Sequence, residues 1–354
     1  MNVGYELLGI PGRGFLEGQG QYAFRLLRAM LAEDTPHRFT LFFNSFRKPL
    51  SHDEVAEALG RDDFTWEQTR IPGCDVSPLT IAAKYKFWTA RAKSLGVDLF
   101  HGTSFRGLAP GVAPSVVTVH DLMGAFFPQT VRRDRNVDKL RREVDRARRV
   151  IAPSDRTRRD LLMLWGVDDD KVTVIPEGYN GPTTPAGDPP PGLPGRFVLY
   201  VGSYRRNKNV PRLVDAFARI ADRLPDVHLA LVGEPGGYRD GLVERIRRRR
   251  LDGRVHITGF LDDPQLEAVY ARALCLVQPS VYEGFGLTPL EAMGRGVPVA
   301  VADNTSMPEV VGDAGLTFDP LSVEEIAGAV LRLVTVERLR VDLSPLRTVY
   351  ATDR

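Results

Sequence analysis

Cysteine is scarce in this chain, with two among 354 residues, Cys74 and Cys275. They stand in opposite halves without metal-ligand spacing, which excludes a disulfide framework and a cysteine-rich metal site and fits a reducing compartment. Long apolar runs are missing as well. Nothing approaches the roughly 18 residues needed to span a bilayer, and no basic stretch followed by an apolar one opens the chain, so no signal peptide is expected. The expectation is a cytoplasmic protein, with peripheral contact at the inner membrane face left open. Charge excess is also missing: the formal net charge is +2, so bulk electrostatics make no case for nucleic acid as a partner. No repeat of 20–50 residues is visible, which excludes a solenoid.

What is present is a chain long enough for two cores, in which short apolar runs alternate with amphipathic stretches. That alternation predicts parallel α/β sheets. Strands are expected at Val3–Leu8, Phe39–Phe43, Asp98–His101, Val116–His120, Val150–Ala152 and Val172–Ile175 in the first half. In the second half they are expected at Phe197–Gly202, His228–Val232, Val255–Thr258, Leu274–Gln278 and Val297–Val301. Leu213, Val214, Phe217, Ile220, Ala221 and Leu224 keep the 3–4 spacing of a core-facing helix. Asn180 to Gly195 is rich in Pro, Gly and Thr and reads as a linker. The predicted organisation is a first α/β domain over 1–179, a linker over 180–195 and a second α/β domain over 196–354. Both are doubly wound and Rossmann-like, facing each other across a cleft, with ligands expected outside the carboxyl ends of the strands.

The densest information lies between Glu283 and Glu291. Gln278 closes an apolar strand, Pro279 and Ser280 break it, and Gly284 and Gly286 let the backbone approach a ligand. Thr288 reads as an N-cap with Pro289 at the first helical position. A helix start presents unpaired N–H groups and partial positive charge, which suits an anion. Carboxylates at both ends suit a ligand with hydroxyls. Thr288-x-x-Glu291 has the spacing of a capping box too, and spacing alone leaves the two roles of Glu291 open. The plain alternative for Glu283 is a solvated loop carboxylate.

Glu283-Gly284-Phe285-Gly286-Leu287 through Glu291-Ala292-Met293, followed by Gly296-Val297-Pro298-Val299, closely resembles the signature of retaining GT-B glycosyltransferases of family four. The resemblance continues at lower specificity over most of the chain. It implies that Glu283 binds sugar hydroxyls and that Glu291 holds ribose hydroxyls. Backbone N–H groups around Gly284, Phe285, Gly286 and Leu287 would then meet sugar or phosphate oxygens. Gly202 to Asn209 resembles the family's phosphate loop, with Lys208 and Asn209 on matching positions. The family's usual Arg falls on Asn207, which leaves Arg205 and Arg206 as alternatives for that charge. Gly259 and Phe260 end another strand and are the candidates beside the nucleobase.

In the first half, Phe15-Leu-Glu-Gly18-Gln-Gly20-Gln-Tyr22 resembles the family's glycine loop, which approaches the diphosphate and acceptor. Gly12-x-Gly14-x-x-Glu17 lacks the third glycine of a dinucleotide fingerprint. Thr118-Val-His120-Asp121 resembles the segment whose histidine points at the transferred sugar, with Asp121 expected to orient His120. His101, which ends another strand, is a candidate for the acceptor pocket. The Arg- and Asp-dense run from Arg132 to Arg149 is expected to be a solvated helix with a narrow stripe of Val137, Leu140, Val144 and Ala147. Asp168-Asp169-Asp170 contains Asp-x-Asp but reads as a solvated turn, so no metal is expected. The run from Ser344 to Arg354 lacks the aromatic-rich finish the family implies, which makes cleft closure less secure.

The resemblance therefore implies transfer of a hexosyl group, of mannosyl, glucosyl or rhamnosyl type, from a nucleotide-diphosphate sugar to an acceptor hydroxyl, with retention and without metal or other cofactor. His120, Glu283 and Lys208 are the expected catalytic set. UDP or GDP is the expected carrier. The acceptor is a sugar, a glycolipid or a natural product, and the oligomeric state is left open. Rival readings are an epimerase or phosphorylase on the same scaffold and a non-catalytic nucleotide-sugar sensor.

Overall fold

In the computed structural model the alternating pattern becomes two all-parallel sheets, each flanked by helices. The structure describes residues 1–10, 13–14, 18–33, 35–44, 49–69, 78–103, 114–127, 133–179, 181, 184–234 and 236–335. Cys74, Ser104, Arg132, Asn180, Gly12, the stretch from Phe15 to Glu17 and the run from Ser344 to Arg354 lie outside the described residues. The chain divides into two compact units, Met1–Pro176 and Glu177–Arg354.

The first unit's sheet runs Thr65–Thr69, Arg38–Asn44, Asn2–Leu7, Leu99–Gly102, Ser115–Thr118, Arg149–Ala152, Val172–Val174. The second unit's sheet runs Val255–Gly259, His228–Val232, Phe197–Val201, Ala273–Gln278, Val299–Ala302, Leu316–Phe318. Numbered along the chain within each sheet, the orders are 3-2-1-4-5-6-7 and 3-2-1-4-5-6. The order reverses between strands 1 and 4, and the loops after those two strands diverge to opposite faces, leaving a crevice at their carboxyl ends. In the second unit the two loops are those that begin at Gly202 and at Pro279.

Strand Phe197–Val201 shows why the sequence reads as a buried parallel strand. Phe197 and Leu199 enter the core on one face, Val198 and Tyr200 the core on the other. Leu213, Val214, Phe217 and Ile220 of helix Val210–Ile220 are all buried in the second of these cores, joined by Ala221 and Leu224. Described residues of the Pro-rich stretch pack against the second unit: Gly187 N donates to Pro264 O at 2.9 Å, and Leu193 lies on its core.

Among the described residues four strands were not foreseen: Gly9–Ile10 and Arg13–Gly14, which pair antiparallel as a small separate sheet, and two at the edges of the parallel sheets. Thr65–Thr69 and Leu316–Phe318 each close a sheet edge, and an edge strand needs no continuous apolar run. The strand expected from Val297 begins at Val299 instead, because Pro298 has no N–H to donate and contributes only its carbonyl, which accepts from Leu276 N at 2.8 Å. Helix Arg133–Arg146 buries Leu140 and Val144 as expected, and Ala147 just beyond it, but also Lys139 and Glu143, which the narrow stripe left outside. Among the described residues no helix is long and apolar enough to cross a membrane.

Candidate functional site

In the second unit the strand ends come together more closely than side chains allow. Gly233 has φ 124°, and a Cβ there would stand 2.2 Å from the Gly202 carbonyl oxygen. Gly202 N donates to Val232 O and Gly233 N to Gly259 O, each at 2.9 Å. Glycine is the residue that meets both demands.

From Gly202 the chain makes a single turn over Arg206–Lys208 and reaches Asn209 in the left-handed region, with φ 57°. Asparagine tolerates that conformation and uses its side chain to hold it: Asn209 Nδ2 donates to Pro279 O at 3.0 Å and to Pro320 O at 2.7 Å. Asn207, where the resemblance leads one to expect arginine, is buried and structural. Its Nδ2 donates to Tyr282 O at 3.2 Å, and its backbone carbonyl accepts from Val281 N at 2.7 Å. The two asparagines thus sew the Gly202 loop to the Pro279 loop. Between them stands Lys208, whose Nζ lies 2.6 Å from Glu283 Oε1. Arg205 and Arg206 are both exposed at the same turn.

Glu283 is held on several sides. Gln278, at the end of its strand, donates from Nε2 toward Oε1 at 3.4 Å. The Glu283 N–H donates to Thr305 Oγ1 at 3.2 Å, and Ser306 Oγ donates to the Glu283 carbonyl at 3.1 Å and to the Phe285 carbonyl. Asn304 Nδ2 donates to Val281 O at 3.1 Å. Gln278, Asn304, Thr305 and Ser306 were missed from the sequence. Their signal was present: a polar residue closing one apolar strand, and an Asn-Thr-Ser cluster following another.

The helix after Glu283 starts earlier than Thr288 predicts. It spans Leu287–Gly294 with Gly286 as its N-cap, at φ 126°. A side chain at Gly286 would meet Met307 Cε at 2.5 Å, so glycine takes the capping position and Thr288 becomes the second helical residue. The Thr288 capping box is therefore replaced, and Glu291 lies one turn into the helix. There its Oε2 accepts from the Tyr270 hydroxyl at 3.4 Å. Phe285 is buried in the core, so only its backbone can face a ligand. Gly284 is buried and Leu287 half-buried beside it. Gly259, with φ 76°, and Phe260, 75% exposed, end the edge strand Val255–Gly259.

The first unit gathers a second group of candidates. Gly18, with φ 35°, caps helix Gln19–Ala32, and Gly20 is buried in its first turn. Tyr22 links that helix to the end of strand Ser115–Thr118: its hydroxyl lies 3.1 Å from Thr118 Oγ1, and its ring meets the His120 ring edge-on at 4.7 Å. His120 Nε2 donates to the Thr103 carbonyl at 2.9 Å. A carbonyl can only accept, so Nε2 carries the proton. Asp121 was expected to orient His120; its Oδ1 accepts from Met123 N at 2.8 Å, while the group that holds His120 Nε2 is the Thr103 carbonyl.

His101 is a core residue, contrary to the expectation of an acceptor pocket. It is 8% exposed, its Nε2 lies 2.9 Å from Thr118 Oγ1, and its ring packs edge-on to Tyr5. Burial, and then the neighbouring His120, lower its pKa to about 4, so it is neutral at ordinary pH. Asp168 to Asp170 form the expected turn, with Asp169 paired to Arg158.

Comparison with known proteins joins both halves. The family model described as glycosyl transferases group 1 matches residues 190–345. The model described as glycosyltransferase family 4 matches residues 16–180. An Escherichia coli protein, O-antigen chain mannosyltransferase B, is 32% identical over 247 residues, covering 66% of this chain and 64% of that protein. The chain thus spans a little under two thirds of that relative's length. Sucrose-phosphate synthase from Thermosynechococcus elongatus has the same fold, with a TM-score of 0.78 at 21% identity over 99% of this chain and 95% of that one. So does Anabaena HepE in complex with UDP and glucose, with a TM-score of 0.74 at 19% identity, covering 99% and 96%.

Proposed function

Because this chain belongs to the group 1 glycosyltransferases of GT-B fold, we propose that it moves a hexosyl group from a nucleotide-diphosphate sugar to an acceptor hydroxyl. One observation carries this reading: at the switch point of the second sheet, Lys208 Nζ and Glu283 Oε1 lie 2.6 Å apart, immediately before a glycine-capped helix start. A cation, a carboxylate and the positive end of a helix at one crevice suit the pyrophosphate and hydroxyls of such a donor.

In this reading Lys208 exchanges Glu283 for the diphosphate and leaves the carboxylate to sugar hydroxyls. Lys208, Arg205 or Arg206, and the N–H groups from Phe285 to Leu287 stabilise the negative charge that builds on the leaving group. Those charges do the work that a metal does elsewhere, so the transfer runs without one. Glu291 holds the ribose, and Gly259 with the exposed Phe260 flanks the base. His120, with Gly18, Gly20 and Asp121, serves the sugar and acceptor. The acceptor hydroxyl attacks from the departing face, a phosphate oxygen takes its proton, and the anomeric configuration is retained.

The mannosyl transfer named for the Escherichia coli relative and the UDP and glucose named for HepE support a donor of this class. UDP or GDP is the proposed carrier, and the acceptor a sugar, glycolipid or natural product. The deciding experiment is Glu283→Ala, with product formation and melting temperature measured together. Transfer should fall more than about 100-fold with the fold intact; near-normal turnover removes Glu283 from the site.

A further inference from the structure

Glu291 stands on a short helix whose far end is gripped by a cluster that the transfer reaction does not itself require. Arg295 follows the last helical residue, Gly294. Its Nη1 donates to the Glu291 carbonyl at 2.8 Å, and its Nε donates to Glu267 Oε2 at 2.7 Å, with Nη2 on the other carboxylate oxygen. The guanidinium lies 4.5 Å from the centre of the Tyr270 ring and 5.1 Å from that of Tyr179. Gly294 makes room for this arrangement, since a Cβ there would stand 2.1 Å from Tyr179 Cε1. Glu267 and Tyr270 share helix Asp263–Arg272, three residues apart and so on one face. Tyr270 is fully buried, with Val269, Leu290 and Met293 in the same core. Its hydroxyl is aimed at Glu291 Oε2, 3.4 Å away.

We infer that Tyr270 is a positioning residue: clamped under Arg295, it fixes the Glu291 carboxylate in the orientation that accepts two hydrogen bonds from the vicinal hydroxyls of a ribose. The inference rests on the proposed ribose role of Glu291 and adds the device that pre-organises it. A carboxylate on a helix surface samples several rotamers, and each unproductive one lowers affinity for the diol. A phenol fixed by its own packing selects one. Burial, and next the Glu291 charge, push the Tyr270 pKa well above its ordinary value, so the phenol stays protonated and keeps donating. Glu291 and Arg295 belong to one helix and its C-cap, and only the fold brings Tyr270 to them from another helix.

The test is a comparison of ribose discrimination. The tightest binder among UDP, GDP and ADP is titrated by calorimetry against its 2′-deoxy analogue and against inorganic pyrophosphate. The proteins are the wild type, Tyr270→Phe and Glu291→Gln, each with its melting temperature measured. Tyr270→Leu serves as a second hydroxyl-free variant should the first misfold. Tyr270→Phe should lower the preference for the ribonucleotide by about three- to tenfold, Glu291→Gln should lower it further, and neither should change pyrophosphate affinity. A wild-type preference in Tyr270→Phe, with Glu291→Gln impaired, makes Tyr270 a packing residue only and overturns the inference. A wild-type preference in Glu291→Gln, or no binding of any of the three nucleotides, overturns the ribose reading and the inference with it.

Discussion

Replacing Lys208 by Met tests the proposed donor site through two separate quantities. In the free protein Lys208 is paired with Glu283 at 2.6 Å, with side chains 22% and 14% exposed. An exposed pair contributes about 0–1 kcal/mol, and breaking a buried one costs about 3–5 kcal/mol. This pair lies between, so Lys208→Met should destabilise the protein by about 1–3 kcal/mol, chiefly by leaving the Glu283 charge without its cation. The double variant Lys208→Met/Glu283→Gln should recover most of that loss. For the ligand, a hydrogen bond from Lys208 to phosphate contributes about 1.5–3 kcal/mol, part of which is offset by giving up Glu283. The net loss is about 1–2 kcal/mol, roughly 5- to 30-fold in affinity. Calorimetry with a nucleoside diphosphate and with its parent nucleoside separates the terms. Lys208→Met should weaken the diphosphate by that factor and the nucleoside by less than about twofold. Equal losses for both would refute a phosphate role for Lys208.

Acid stability should carry a signature of His101. Its folded pKa of about 4 lies below the ordinary 6.5, so between these values the unfolded chain binds the extra proton. Stability is then fully present above 6.5 and is lost as pH falls toward 4, by up to about 3 kcal/mol; in urea titrations His101→Gln should flatten that slope, and an unchanged slope counts against it. Gly233→Ala should cost about 3 kcal/mol or more, read as a lower urea midpoint, because its Cβ would stand 2.2 Å from the Gly202 oxygen; a wild-type midpoint contradicts the close approach. Addition of EDTA should leave transfer unchanged, and a strict Mg²⁺ requirement would return attention to Asp168, Asp169 and Asp170.

Much of the fold was legible because parallel strands buried on both faces are written as apolar runs. His228–Val232 is read to the residue, and the Leu213 to Leu224 stripe lies in the core. The edge strand Thr65–Thr69 was not legible, since a strand with one partner and one covered face carries a weaker pattern. The start of the Leu287–Gly294 helix was misread for a different reason. Thr288 and Pro289 satisfy local capping rules, but the close approach of Met307 from a separate element makes Gly286 the turning point.

The sequence by itself determined that the chain builds two α/β units and which short segments lie at the carboxyl ends of their strands. Apolar periodicity and glycine placement are local properties that survive in one dimension. Only the tertiary structure decided which of those segments meet. Lys208 touches Glu283 because Asn207 and Asn209 bind one switch-point loop to the other. Asn207 replaces an expected arginine because it is buried there and must hydrogen-bond backbone. His101 is neutral because the sheet takes it out of water. Each of these depends on contacts between residues far apart in the chain, and sequence spacing carries no record of such distances.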